Sequence, residues 1–245
     1  MHIHTILSPC GSLEMSPVNI IQTATSRGLD IIGITDHNTT RQCQTISDVA
    51  AERGITVICG AEINTHEEIH CLALFGNASD LAEFQLWLDT QLPDVKNDPD
   101  KFGDQIWVDA DENIVGEEGR LLISALDATL EEAEKAVHRL NGLFIAAHAD
   151  KSRNSIISQL GFVPGDIRFD AIELSPHTTT EEFLKLHPYL KDYTFITASD
   201  AHYLHQMGSA FTSFELASPD FESLKLSLKL NQGVASHHHN RPVKS

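Results

Sequence analysis

The sequence predicts an α/β fold built on a parallel sheet or barrel. Three observations carry this: a strand–helix–strand–helix–strand rhythm in the first sixty residues, apolar strand-like runs that recur as far as Ala198, and polar residues of metal-ligand type where those runs end. The elements follow in order. A short strand fits residues 1–5. Ser16-Pro17 reads as an N-cap with proline at the first helical position. Val18, Ile20, Ile21 and Ala24 then make one apolar helix face that stops at Gly28. Residues 31–34 form a buried-type strand, residues 40–53 a helix ended by Gly54, and residues 55–59 the next strand. Residues 69–75 are strand-like and 80–91 helical, whereas 93–124 form an acidic, irregular excursion. Thr129-Leu130-Glu131-Glu132 has capping-box spacing and opens a helix to about Asn141. Strands fit 143–147, 170–174 and 193–198, with a helix at 181–187 and a last helix at 219–230. That makes about seven strands in one domain, residues 1–235. Residues 236–245, with His237-His238-His239, read as a polar, disordered tail.

Composition limits the function. The chain has 245 residues, 41% hydrophobic and 21% charged, as in ordinary globular domains. No window suits a membrane helix, and the N-terminus has no basic stretch before an apolar run, so a cytoplasmic setting is expected. Cys10, Cys43, Cys59 and Cys71 show no CxxC spacing and suggest no disulfide framework. Lys and Arg total 17 against 35 Asp and Glu, a net charge of −18. That balance argues against stable duplex DNA binding and would repel phosphate unless bound dications offset it. Oligomeric state is not readable.

The chemistry lies where strands end. His2 and His4 stand two apart on the first strand, so alternation turns both to one face. Asp36-His37 follows the second strand, Glu62 the third, and His148 the strand ending at Ala147. Asp200 and His202 follow Ala198, while His70 lies near the start of its strand. Each item alone is as often a helix cap or a hydrogen-bonded core residue. Six histidines with several carboxylates near strand ends point jointly to a metal centre. Imidazole with carboxylate suits zinc, manganese or iron, and Glu62 can bridge two cations. Ligands at the carboxyl ends of parallel strands are what a barrel active site requires.

His2-Ile3-His4-Thr5, Ile34-Thr35-Asp36-His37-Asn38, Gly60-Ala61-Glu62-Ile63, Glu68-Ile69-His70, Ala147-His148 and Ala198-Ser199-Asp200-Ala201-His202 resemble, in order, the motifs of the PHP family, named for its polymerase and histidinol phosphatase members. The resemblance runs from residue 2 to about 205. It implies a distorted (β/α)7 TIM-like barrel with two or three divalent metals at the C-terminal ends of the strands. By that resemblance, His2, His4, Glu62 and Asp200 hold one metal, and Glu62 bridges to a second completed by His70 and His148. His37 and His202 hold a third. Three-metal members complete that site with a histidine a few residues after HxH. Cys10 falls in about that place here, either as a thiolate ligand or as a small residue packed under the site. The Asp that often stands two positions before HxH is absent.

The implied reaction is hydrolysis of a small phosphomonoester (histidinol phosphate-, nucleotide- or sugar phosphate-like) by metal-activated water. Asp36 either orients His37 or moves a proton. Lys151, Arg153 and His177 are candidate substrate contacts, weighed against solvated loop positions. Two rival readings are an amidohydrolase-like enzyme acting on a C–N bond, which usually bridges its metals with a modified lysine, and a non-catalytic PHP module.

Overall fold

The computed structural model describes residues 1–231 and 233–237. Its elements are α1 (Pro17–Ser26), β1 (Ile31–His37), α2 (Cys43–Ala51), β2 (Thr56–Asn64), β3 (His70–Phe75), α3 (Ala78–Gln91), α4 (Pro99–Phe102), β4 (Ile106–Val108) and β5 (Ile114–Glu117). There follow α5 (Leu130–Arg139), β6 (Leu143–Ala146), α6 (Ile156–Leu160), β7 (Ala171–Leu174), α7 (Thr180–Leu186), β8 (Phe195–Thr197), β9 (Ala210–Phe214), α8 (Phe221–Lys229) and β10 (Gly233–His237). The last two residues of β10 fall in the expected polar tail; the rest of that tail lies outside the described residues.

The central sheet is a curled half-barrel of six strands, ordered β1-β2-β3-β6-β7-β8. β1 and β2 are parallel, as are β6, β7 and β8, while β3 runs antiparallel to both its neighbours. The expected first strand is not a strand. Residues 1–5 make one isolated parallel bridge, Ile3 to Ala201, while the Thr35 amide donates to the Ile3 carbonyl at 2.9 Å. The segment therefore links the two outer edges of the sheet, beside β1 and just past β8. It lies so close to β1 that a Cβ on Gly33 would fall 2.3 Å from the Met1 carbonyl oxygen. The architecture is thus an α/β half-barrel with an irregular seventh segment, not seven regular strands.

Alternation along the strands sorts their side chains into two layers. One layer packs the sheet against its helices, with Ile34, Cys71, Ala73, Phe75, Phe144 and Ile172 among its members. The other holds Ile58, Leu72, Leu74, Leu143, Ile145, Ala171 and Ile196, together with Phe221, Leu224 and Leu228 of α8. Further along the same strand faces come Glu62, four residues past Ile58, His70, two before Leu72, and Glu173, two past Ala171. The inner face is therefore apolar at one end, where α8 packs against it, and carries ionisable residues at the other.

Local signals set the helix boundaries. Thr129 caps α5 by accepting from the Glu132 amide, and the Glu132 side chain accepts back from Thr129. The excursion at 93–124 is more ordered than its sequence suggests. It holds α4 and the β4–β5 hairpin, whose strands are too short to display a period. It is tied down by Asn38, whose side-chain amide donates to the carbonyls of Leu122 and Ser124 at 2.7 and 2.8 Å. No helix among the described residues is long and apolar enough to cross a membrane.

Candidate metal centre

The polar end of the inner face gathers the predicted ligands around one carboxylate. Glu62 is buried in β2. Its Oε1 lies 3.0 Å from His70 Nδ1, 3.0 Å from His148 Nε2 and 3.3 Å from His2 Nε2. Its Oε2 lies 3.2 Å from both His4 Nε2 and His37 Nδ1. Asp200 Oδ1 stands 3.3 Å from His2 Nε2, 3.4 Å from His4 Nε2 and 3.6 Å from His202 Nδ1. His70, odd in the sequence pattern, is explained by the reversal of β3. The first residue of an antiparallel strand lies at the same end of the sheet as the last residues of its parallel neighbours.

The chain itself aims these rings. His2 Nδ1 is 3.0 Å from Glu173 Oε1, so it donates there and leaves Nε2 facing the centre. His4 Nδ1 pairs with Ser8 Oγ at 3.0 Å, and that hydroxyl donates to Asp36 Oδ1 at 2.6 Å. His202 Nδ1 donates to the Asp200 carbonyl at 3.0 Å. Asp36 also accepts from the Thr5 amide and hydroxyl, both at 2.7 Å. Its oxygens are thus engaged by Thr5 and Ser8, and it reaches His37 only through Ser8 Oγ, which accepts from the His37 amide at 3.3 Å. His148 and Asp200 have φ of +29° and +46°, the left-handed region that costs an L-residue about 1–3 kcal/mol and recurs where a ligand must be re-aimed.

The electrostatics are those of a site built for cations. Burial opposes charging His2, but Glu173, Asp200 and Glu62 outweigh it and raise its pKa well above the usual value. For His4, burial is overcome by hydrogen bonds to Asp200 and Glu62, raising it to about 9. Burial lowers His37 well below the ordinary range, and burial plus the neighbouring His4 lowers His202 to about 4. Glu62 and Asp200 are both held low despite burial, by the histidines around them. Burial first, then the Glu62 and Asp36 carboxylates, push the Cys10 thiol up. The metal test rests on donors left over. His37 Nδ1, His148 Nδ1 and Asp200 Oδ1 are buried without a hydrogen-bond partner. Ligand atoms of His2, His4 and Glu62 lie within 4.8 Å of one another, as do those of His37, Glu62 and His70, and those of His4, Cys10, His37 and His202. Imidazole, carboxylate and thiol donors in this arrangement fit divalent transition metals.

A cavity of about 230 Å³ opens over the centre, lined by His37, Glu62, His70, His148, Lys151, Arg153, Asn154, Asp200 and His202. Lys151 pairs with Asp200 Oδ2, and Lys151 and Arg153 are both exposed. His177 is exposed and does not line this cavity. Glu173 escaped the sequence reading. The available signal was an acidic residue inside an apolar strand, Ala171-Ile172-Glu173-Leu174, which a buried strand tolerates only with a partner. Glu173→Gln should weaken metal affinity about 10–100-fold, because the His2 ring loses its anionic anchor. A competition titration with a chromophoric chelator reads this, and unchanged affinity in a folded variant would remove Glu173 from the centre.

Fold and site together define a PHP-type domain with a candidate metal centre. The PHP domain model matches residues 1–149 and a PHP-associated model residues 191–232, and the chain belongs to the PHP domain family. An uncharacterised Bacillus subtilis protein, YqxK, is 27% identical over 187 residues, which is 72% of this chain and 42% of YqxK. The lesion-specific endonuclease Q of Pyrococcus furiosus superposes with TM-score 0.72 at 21% identity, over 94% of this chain and 55% of that one. A two-domain protein from Bacteroides vulgatus, containing a predicted PHP-like metal-dependent phosphoesterase, superposes with TM-score 0.59 at 18% identity, over 97% of this chain and 63% of that one. The chain thus spans about half of these proteins' lengths.

One expectation is corrected. Net charge argued against stable duplex DNA binding, and the family resemblance implied a small phosphorylated substrate. Yet endonuclease Q has been captured with a 27-mer duplex bearing an abasic lesion at its active site, and that complex matches this chain with TM-score 0.69 over 94% of its length. The physical error was to use total charge. Exposed charges more than about 8–10 Å away are largely screened, so the local field at a site mouth governs contact with a phosphate.

Proposed function

We propose that this chain is a metal-dependent phosphoesterase that cleaves phosphodiester bonds in DNA. The observation that carries it is Glu62, with five histidine nitrogens within 3.3 Å, beneath a cavity whose mouth holds Lys151 and Arg153. The likeness to endonuclease Q supports the choice of substrate. His2, His4, Glu62 and Asp200 would hold one divalent cation, and Glu62, His70 and His148 a second. Bound zinc, manganese or iron supplies Lewis acidity toward phosphoryl oxygens and a water that is acidic near neutral pH.

The chain's own residues do the rest. Arg153 and Lys151 meet the phosphate from the solvent side and hold the ester over Glu62. Asp36 acts as a positioning residue: through Ser8 it fixes the His4 ring and the backbone at His37. His37 stays uncharged at neutral pH because it is buried, so its ring is free to be a ligand. Glu62 stands where the amidohydrolase-like reading would place a modified lysine, and this favours phosphate chemistry. A cytoplasmic setting belongs to the same reading.

The test uses the purified chain with manganese, zinc or iron. Intact duplex, duplex with an abasic site and single-stranded DNA are assayed beside simple phosphomonoesters. Strand cleavage is expected, and Arg153→Ala should raise KM about tenfold with kcat little changed, the loss of one charged hydrogen bond. Failure to cleave any DNA with all three metals, while metal is bound, would reject DNA as substrate.

A further inference from the structure

We infer that Cys43 and Cys59 form a redox-active dithiol, in which Cys59 is oxidised first by a peroxide and Cys43 closes a disulfide that fastens α2 to β2. The pair stands apart from the metal centre and does not depend on the choice of DNA as substrate. Side chains alternate along β2, so Glu62 faces the inner layer while Cys59, three residues earlier, turns to the helix side with Ala61 and Ile63.

Cys43 opens α2, and Ser47 follows it one turn later on the same helix face. Both meet Cys59. Its Sγ lies 3.8 Å from the Cys43 carbonyl oxygen and 3.2 Å from Ser47 Oγ. Cys43 Sγ in turn lies 3.5 Å from the carbonyl oxygen of Gly60, the residue after Cys59. Each sulfur thus rests on the backbone beside the other, and the two thiols share a hydrogen bond. Their surroundings divide the roles. Cys59 is half-buried, within reach of a small oxidant, whereas Cys43 is buried behind it. Hydrogen bonds from Cys43 and Ser47 outweigh burial and hold the Cys59 thiol below its ordinary range. The bond it gives to Cys59, and then burial, push the Cys43 thiol up. A half-exposed thiol of lowered pKa is the one a peroxide attacks, and a neighbouring thiol resolves the product.

The steps balance with one peroxide. The Cys59 thiolate attacks a peroxide oxygen, the O–O bond breaks, and hydroxide leaves a sulfenic acid on Cys59. The Cys43 sulfur then attacks the Cys59 sulfur, the S–OH bond breaks, and the departing hydroxide takes the Cys43 proton as water. Two thiols lose two electrons and two protons, and the peroxide becomes two waters.

The experiment treats the purified full chain with hydrogen peroxide, quenches with catalase, then unfolds and alkylates it for peptide mapping by mass spectrometry. In the wild type, Cys43 and Cys59 should be lost to alkylation and found joined to each other, and dithiothreitol should return both thiols. With dimedone present, Cys43→Ala should show a trapped sulfenic acid at Cys59, and Cys59→Ala none at Cys43. The wild-type result stands whether or not the variants fold. Cys43 and Cys59 both still alkylated after peroxide, Cys59 carried to sulfinic acid without a disulfide, or either one joined instead to Cys10 or Cys71 overturns the dithiol. A sulfenic acid trapped at Cys43 in Cys59→Ala overturns the order of attack.

Discussion

Glu62→Gln should bind fewer metal ions than the wild type and lower turnover about 10³-fold or more. Both Glu62 oxygens are shared, Oε1 among three histidines and Oε2 between two. An amide of the same shape keeps one oxygen, loses the negative charge and turns an N–H₂ toward ring nitrogens meant for cations. Two neighbouring dications then lack the anion that offsets their repulsion. A loss of about 4 kcal/mol in transition-state stabilisation corresponds to about 10³ in rate. The metal-free protein changes less. Without Glu62, Glu173 and Asp200 still face His2 and Asp200 still faces His4, so the cost is that of imperfect buried hydrogen bonds, about 1–3 kcal/mol. Elemental analysis, kinetics and denaturation in chelator separate these outcomes. A variant with full metal content and normal turnover would show that Glu62 does not bridge.

The residues that gather around Glu62 were more legible in the sequence than the elements that carry them. His2, His4, His37, Glu62, His148, Asp200 and His202 stood out because so many imidazoles and carboxylates recur near strand ends in one chain. The Met1–Thr5 strand was misread because alternation fits any extended segment, and only the Ile3–Ala201 bridge shows how little ladder it forms. β9 and β10 pair across 18 residues between Phe214 and Gly233, a long-range pairing with no local signature. Glu173 showed in the sequence only as an acidic residue within an apolar strand, for a related reason. Its meaning depends on His2, 171 positions away, which folding brings within 3.0 Å. The reversal of β3 likewise turned an apparent exception, His70, into a regular member of the site.

The substrate was misjudged through a different physical quantity. Net charge is a property of composition, whereas contact with a phosphate depends on the few charges within screening distance of it. Lys151 and Arg153 lie close enough in sequence to be noticed as candidates. Only the fold places both at the rim of the cavity that Glu62 and the histidines floor, and leaves His177 outside it.

Removal of bound metal should lower the melting temperature by about 5–11 °C at neutral pH. A single site filled at 100 times its Kd adds about 2.7 kcal/mol, and in a chain of this size each kcal/mol moves Tm by about 2–4 °C. The sign with pH follows from the metal-free site. Its His4 pKa is raised to about 9, so that proton stabilises the metal-free fold fully below about 6.5, and the contribution is lost as pH rises through 9. Metal must displace the same proton. The stabilisation by metal should therefore grow between pH 7 and 9 and level off above, whereas a histidine at its ordinary pKa of about 6.5 would level off near pH 7.5. Differential scanning calorimetry with and without chelator, repeated across that range, measures both effects. An unchanged melting temperature on chelation of protein shown to carry metal would mean that the ligands are held in place by the fold without help from the cation. A metal-induced shift already flat from pH 7 upward would mean that His4 binds no proton in the metal-free protein, and that the carboxylates of Glu62 and Asp200 do not outweigh its burial.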